Sequence, residues 1–177
     1  MGGSSRVLTP SLVTTLVEQG RFGLLRRLLL GDERPTMRVE LASAKDLQPG
    51  QWQWPHVDPA KEWACKGTGK LVYDTEFLDL FEKMRKMFGR PLIINSGYRS
   101  PEHNRQVADT GDAGPHTTAR AADIRIYGAH AFELLGLALA LGVTGIGIQQ
   151  KGPIESRYLH LDILRAPDYP RPMVWTY

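Results

Sequence analysis

Cysteine is nearly absent from this chain. Cys65 is the one thiol among 177 residues, which excludes an intramolecular disulfide framework and any cysteine-rich zinc finger. Long apolar runs are missing too. A membrane-spanning helix needs roughly 18–20 consecutive apolar residues, and the most apolar early stretch, Leu12 to Leu30, is broken by Glu18, Arg21, Arg26 and Arg27. No secretory signal is evident, since a charged start, an unbroken apolar run and a small-residue cleavage site do not occur together. The start also lacks a myristoylation pattern, because Arg6 stands where Ser or Thr is required. The expectation is a protein made in the cytoplasm and carried to any outside target by another route. Charge of one sign is scarce as well: the net charge is +3 and the pI about 9.1. That mild excess falls short of the basic clusters that nucleic-acid binding needs, though it suits an anionic polymer.

What is present is an ordinary globular composition, 42 % hydrophobic and 23 % charged, in a length that suits one compact domain with a modest extension. Residues 1–50 read as an N-terminal arm and residues 51–177 as the main domain. In the arm, Thr9-Pro10 resembles a helix cap followed by proline in the first turn. Leu12, Val13, Leu16 and Val17 form one apolar stripe; Leu24, Leu25, Leu28 and Leu29 form another. Such a helix packs on its own domain, on a neighbouring subunit or on a membrane surface. Met37, Val39 and Leu41 alternate, which predicts a short strand.

A loop rich in Trp and Pro, Gln51 to Pro59, leads into the main domain. Asp74 or Thr75 caps a helix carrying Phe77, Leu80, Phe81, Met84 and Phe88 at helical spacing, and Gly89 and Pro91 end it. Leu92–Asn95 predicts a strand, Pro101–Val107 a short helix, Ala122–Tyr127 a strand and Ala131–Leu141 a helix. Strands over Gly145–Gln149 and Tyr158–Leu164 follow, with an edge strand over Met173–Tyr177. The mixture lacks regular βαβ alternation, so the expected class is α+β, with a small antiparallel sheet flanked by helices.

Two strands carry polar residues where a period of two gives them meaning. Leu159, Leu161 and Ile163 share one face of the last long strand, so His160 and Asp162 share the other. Asp123 likewise opposes Ile124 and Ile126, and His116 lies seven residues upstream in a Gly-Pro loop. Two imidazoles and a carboxylate form a natural set for a catalytic zinc with one position open to water. Spacing alone is weak evidence, and each of the three residues also has an ordinary structural reading.

Three motifs now carry a resemblance. Ser96-Gly97-Tyr98-Arg99-Ser100, continuing through His103 and Asn104, resembles the SGYRSxxHN signature of the zinc D-Ala-D-Ala carboxypeptidase family. His116 through Ala121, Asp123 and Ile124 resembles that family's HxxGxAxDI signature. Gly145-Ile146-Gly147 with Leu159-His160-Leu161-Asp162 resembles GxG…VHLD. The likeness spans roughly residues 56–177 in the right order, and it is nearest to the small, often phage-encoded, peptidoglycan-peptidase branch, to which the Trp63-Ala64-Cys65-Lys66-Gly67-Thr68-Gly69 run is also similar.

The resemblance implies a hedgehog- and lysostaphin-like zinc fold, with His116, Asp123 and His160 as zinc ligands and Arg99 holding a substrate carboxylate. Ser96 and His103 join Arg99 as expected substrate-side residues, His103 either bracing the Arg99 turn or touching substrate. The implied activity is hydrolysis of peptide bonds in peptidoglycan stem peptides or cross-links, in an endolysin, a virion or another cell-wall setting. The alternative is a structural or adaptor component that keeps the fold, with the arm meeting a second copy or a virion partner.

The chain departs from the pattern at two positions. The family's acidic base three residues before the last histidine is Arg157 here, so Asp162 is the expected base and Glu155 the second choice. The glycine after the first histidine is missing, replaced by Thr118-Ala119. Trp52, Trp54 and Trp63 either pack the arm onto the domain or form a glycan-stacking rim; His56, His130 and Cys65 read as packing residues.

Overall fold

The computed structural model describes residues 36–177, so the helix expected between Thr9 and Gly31 lies outside the described residues. The described chain is α+β. A two-stranded antiparallel ribbon joins β1 (Arg38–Leu41) to β2 (Leu71–Asp74). The main sheet takes β3 (Ile93–Ser96), β4 (Ala121–Arg125), β5 (Gly145–Gln149), β6 (Tyr158–Asp162) and β7 (Met173–Thr176) in the order β3-β4-β6-β5-β7. Its first four strands are antiparallel. The fifth, β7, runs parallel to β5, so the sheet is mixed and not purely antiparallel as expected.

Helix α1 (Thr75–Phe88) forms for the reasons its sequence gives. The Asp74 carboxylate accepts the amide of Phe77 at 2.9 Å and caps the free N–H groups of the first turn. Gly89 ends the helix in the left-handed region, φ 70°. Phe77, Phe81 and Met84 are buried along one face. Helix α2 (Pro101–Val107) starts on Ser100, whose hydroxyl accepts from His103 N, and α3 (Gly128–Ala140) buries Leu134 and Ala138.

The apolar face of the sheet, with Ile124, Leu159, Leu161 and Ile146, belongs to one core with these helices. Truncating a fully buried member such as Phe81 to alanine would cost about 3–5 kcal/mol. The loop before β2 contributes a single π-helical turn, Pro59–Trp63, which drives Trp63 into the same core. There its indole N–H donates to Val72 O at 2.8 Å. Trp54 is buried too and donates to Asp79 Oδ1 at 2.8 Å, while Trp52, Trp54 and Tyr73 meet edge to face. Trp52, Trp54 and Trp63 are therefore core and packing residues, and the glycan-stacking rim is set aside. An indole buries a large apolar area once its single N–H has a partner.

Register explains why the polar face is a site. Ser96 pairs with Asp123, Asp123 with His160, His160 with Gly147 and Gly147 with Trp175. One row of side chains thus crosses all five strands. The next row sets Asp162 between Ala121 and Gly145. Period-2 geometry puts His160 and Asp162 on the same side, away from the core face.

Candidate metal centre

His116 comes from a 3-10 turn, Pro115–Thr118; Asp123 comes from β4 and His160 from β6. All three are buried, and one ligand atom from each lies within 4.8 Å of the other two. The second nitrogen of each imidazole is occupied. His116 Nδ1 donates to the carbonyl of Gly97 at 2.7 Å, and a carbonyl can only accept. That leaves Nε2 as a lone pair, 3.1 Å from Asp123 Oδ1. His160 faces a carboxylate with each nitrogen, Nε2 at 3.2 Å from Asp162 Oδ2 and Nδ1 at 2.9 Å from the same Asp123 oxygen; in the tautomer with the proton on Nε2, Nδ1 is a lone pair.

Two lone pairs and an anionic oxygen thus converge on one point, an arrangement that calls for a cation between them. Two imidazoles and one carboxylate match a zinc site with an open position, and the hydrogen bonds on the outer nitrogens are the orienting contacts such ligands use. The residues fit a zinc ion.

The three groups also interact strongly through their charges. Burial raises the Asp123 carboxyl, but His116 and His160 outweigh it and hold the group far below the usual range. Burial depresses the His116 imidazole despite Asp123. His160 is also pushed down by burial, yet the hydrogen bonds to Asp123 and Asp162 raise it overall. Arg99 completes the surroundings: its Nη2 donates to Asp123 Oδ2 at 2.6 Å and its Nε to Ser96 Oγ at 2.8 Å.

The group lies at the wall of a cavity of about 650 Å³, whose lining includes Arg99, Asp109, Tyr158, Tyr169, Trp175 and Tyr177. A family model described as Peptidase M15 matches residues 57–162, well over half of the chain. The chain belongs to the peptidase M15 family. That is the family of zinc D-Ala-D-Ala carboxypeptidases, so this member is a zinc-dependent peptidase and hydrolase. No curated protein and no solved structure matches the chain.

The structure brings His116, Asp123, His160, Arg99 and Ser96 together, and it treats the other expected site residues differently. His103 is half-buried and does not line the cavity, and it lies so close to Gly67 that a Cβ there would overlap its ring. Glu155 sits exposed in the 3-10 turn Ile154–Ser156 and does not line the cavity. Asp162 is fully buried. Its Oδ1 accepts from Leu164 N at 3.1 Å and Arg171 Nε at 3.0 Å; its Oδ2 accepts from Arg171 Nη2 at 2.6 Å and from His160. The carboxylate meets His160 on the edge opposite Asp123. A group so enclosed, expected as the base, is in place to orient the imidazole and has no open face toward the cavity.

Spacing analysis missed Arg171, Trp175, Tyr158 and Tyr177. Burial raises both tyrosine phenols, so they stay protonated as donors near neutral pH. Tyr158, two residues before His160 on β6, shares its face by the same period of two, but no local period links Arg171, Trp175 or Tyr177 to His160. Only the pairing of β7 with β5 could have revealed Trp175.

Proposed function

We propose that this zinc peptidase cleaves peptide bonds in the stem peptides or cross-links of bacterial peptidoglycan, with His116, Asp123 and His160 holding the metal. One observation carries the reading. Both histidines have their outer nitrogens fixed by acceptors while their inner lone pairs meet Asp123 beside an open cavity, in a chain of this family.

Zinc held there supplies Lewis-acid chemistry, lowering the pKa of water toward about 7 and polarising a carbonyl. The chain's own residues do the rest. Arg99, pinned by Ser96 and Asp123 at the cavity wall, offers a fixed planar fork for a substrate carboxylate. Tyr158 and Tyr177 line the same cavity; Tyr158 donates to Tyr177, whose own O–H is the donor left for a substrate carbonyl group. Asp162 keeps His160 in the tautomer that leaves Nδ1 free. Besides Asp123, the carboxylate on the cavity lining is Asp109, which is the group to examine for proton transfer.

The test is digestion of purified peptidoglycan by the full chain, with and without a zinc chelator, read by mass spectrometry of the released muropeptides. Loss of a terminal D-Ala marks a carboxypeptidase, and opening of cross-linked dimers marks an endopeptidase. Asp109→Asn is assayed in parallel. Full zinc loading with no product from any muropeptide would overturn the reading in favour of a structural component.

A further inference from the structure

Arg171 lies nine residues beyond Asp162, past the end of β6, and turns back onto it. Its guanidinium grips the Asp162 carboxylate with both Nε and Nη2, and both side chains are almost wholly withdrawn from water. The same guanidinium sits 4.9 Å from the ring centroid of Trp175. Trp175 in turn stands 5.2 Å, centroid to centroid, from the His160 imidazole. The four side chains close a ring: His160 to Asp162, Asp162 to Arg171, Arg171 to Trp175, Trp175 to His160.

Strand β5 makes room for this ring. A Cβ on Gly145 would overlap the Asp162 carboxylate and the Arg171 guanidinium, and one on Gly147 would come within 2.8 Å of the Trp175 indole. Any larger residue at either position would wedge the ring apart, so the Gly145-Ile146-Gly147 spacing has a steric cause.

We propose that Arg171 is a positioning residue of the metal centre, acting through Asp162 and Trp175 to hold the His160 ring in one orientation and one tautomer. A buried carboxylate alone could accept from Nε2 in several rotamers. The two-pronged grip of Arg171 removes that freedom, and Trp175 closes off the ring's remaining side. The inference rests on His160 being a metal ligand, as proposed above. It predicts that metal affinity depends on residues that never touch the metal.

The experiment measures zinc affinity of the full chain by competition with a chromophoric chelator, alongside the electronic absorption of the cobalt-substituted protein. Arg171→Ala leaves the buried Asp162 charge without its guanidinium and destabilises the fold. The deciding variant is therefore the double change Arg171→Met with Asp162→Asn, which removes both charges and keeps the packing volume. Zinc affinity should fall roughly 10- to 100-fold with an altered cobalt spectrum, while circular dichroism stays that of the wild type. Should that variant fail to fold, Arg171→Lys is read in the same way, since it retains the charge and loses the two-pronged grip; it should lose affinity by a smaller factor. Either folded variant binding zinc within twofold of wild type, with an unchanged cobalt spectrum, would overturn the proposal. Failure of the wild-type chain to bind zinc at all would instead sink the ligand assignment beneath it.

Discussion

His116 and His160 turn opposite ring nitrogens toward the same oxygen. Nε2 of His116 lies 3.1 Å, and Nδ1 of His160 2.9 Å, from Asp123 Oδ1. The difference follows from where each ring finds its outer acceptor. Gly97 O lies beside Nδ1 of His116, and Asp162 lies beside Nε2 of His160. The two rings, with centroids 5.0 Å apart and nearly perpendicular, therefore approach the shared carboxylate from different directions.

The first prediction concerns the metal. Purified protein should carry about one zinc per chain, and His116→Ala or His160→Ala should each abolish tight binding, as read by elemental analysis after dialysis. Affinity should fall as the medium is acidified, because both imidazoles must be neutral to bind. Full zinc occupancy in both variants would remove these residues from the ligand set.

Arg99 and Ser96 can be separated by the size of their effects. Arg99 donates a charge-assisted bond to Asp123 and lines the cavity, so Arg99→Ala should weaken both zinc retention and substrate affinity. A hydrogen bond to a charged group is worth about 1.5–3 kcal/mol, or roughly 10- to 100-fold. Ser96→Ala removes only one contact to the guanidinium and should cost less than about tenfold. Equal effects from the two substitutions would show that Arg99 acts only as a support for its neighbours.

Acid stability offers a test far from the site. Burial raises the Glu82 carboxyl, but hydrogen bonds from His56 and Lys86 outweigh it and hold the group below its ordinary value. A carboxyl depressed on folding contributes stability above its unfolded pKa and loses it as the pH falls toward the folded value. Glu82→Gln should therefore lower stability by roughly 1 kcal/mol near pH 7, with the gap to wild type closing below about pH 4. Urea melts across that range read the effect. A gap that widens in acid would reverse the sign and refute the assignment.

Truncation should be sensitive to ten residues. A chain starting at Thr36 retains β1, whose backbone pairs with β2 and whose Arg38 reaches Thr118 O at 2.7 Å. It should bind zinc and serve as the reference for the shorter chain. A chain starting at Asp46 loses that ribbon, and several hydrogen bonds at about 1 kcal/mol each should lower the melting temperature by roughly 5 °C or more. Identical melting of the two truncations would mean that β1 contributes nothing to the domain.

Much of this fold is legible in local pattern. The helix Thr75–Phe88 announces itself through Asp74, its apolar spacing and Gly89, and the alternation of Tyr158–Asp162 places His160 and Asp162 on one face. The function of Asp162 is not legible there, because it depends on Arg171 folding back across the sheet and on two glycines one strand away. Trp52, Trp54 and Trp63 are read as packing or rim from sequence, and what decides for packing is a partner for the indole N–H, such as Val72 O for Trp63.

Ala119 shows the opposite case. The sequence shows a missing glycine there, and the structure shows why one is expected, since Ala119 adopts φ 60°, a left-handed conformation that a side chain ordinarily resists. Its methyl group is wholly buried, and that burial offsets part of the backbone cost.

Arg38 gives the short ribbon at the start of the described chain a mechanical meaning. Its guanidinium clasps the carbonyls of Thr117 and Thr118, the two residues directly after His116. Residues 1–35 join the domain by the peptide chain two residues before this anchor. The ribbon's first residue braces the turn that carries His116 from a different part of the chain, so a change at Arg38 would be felt at the site without touching it.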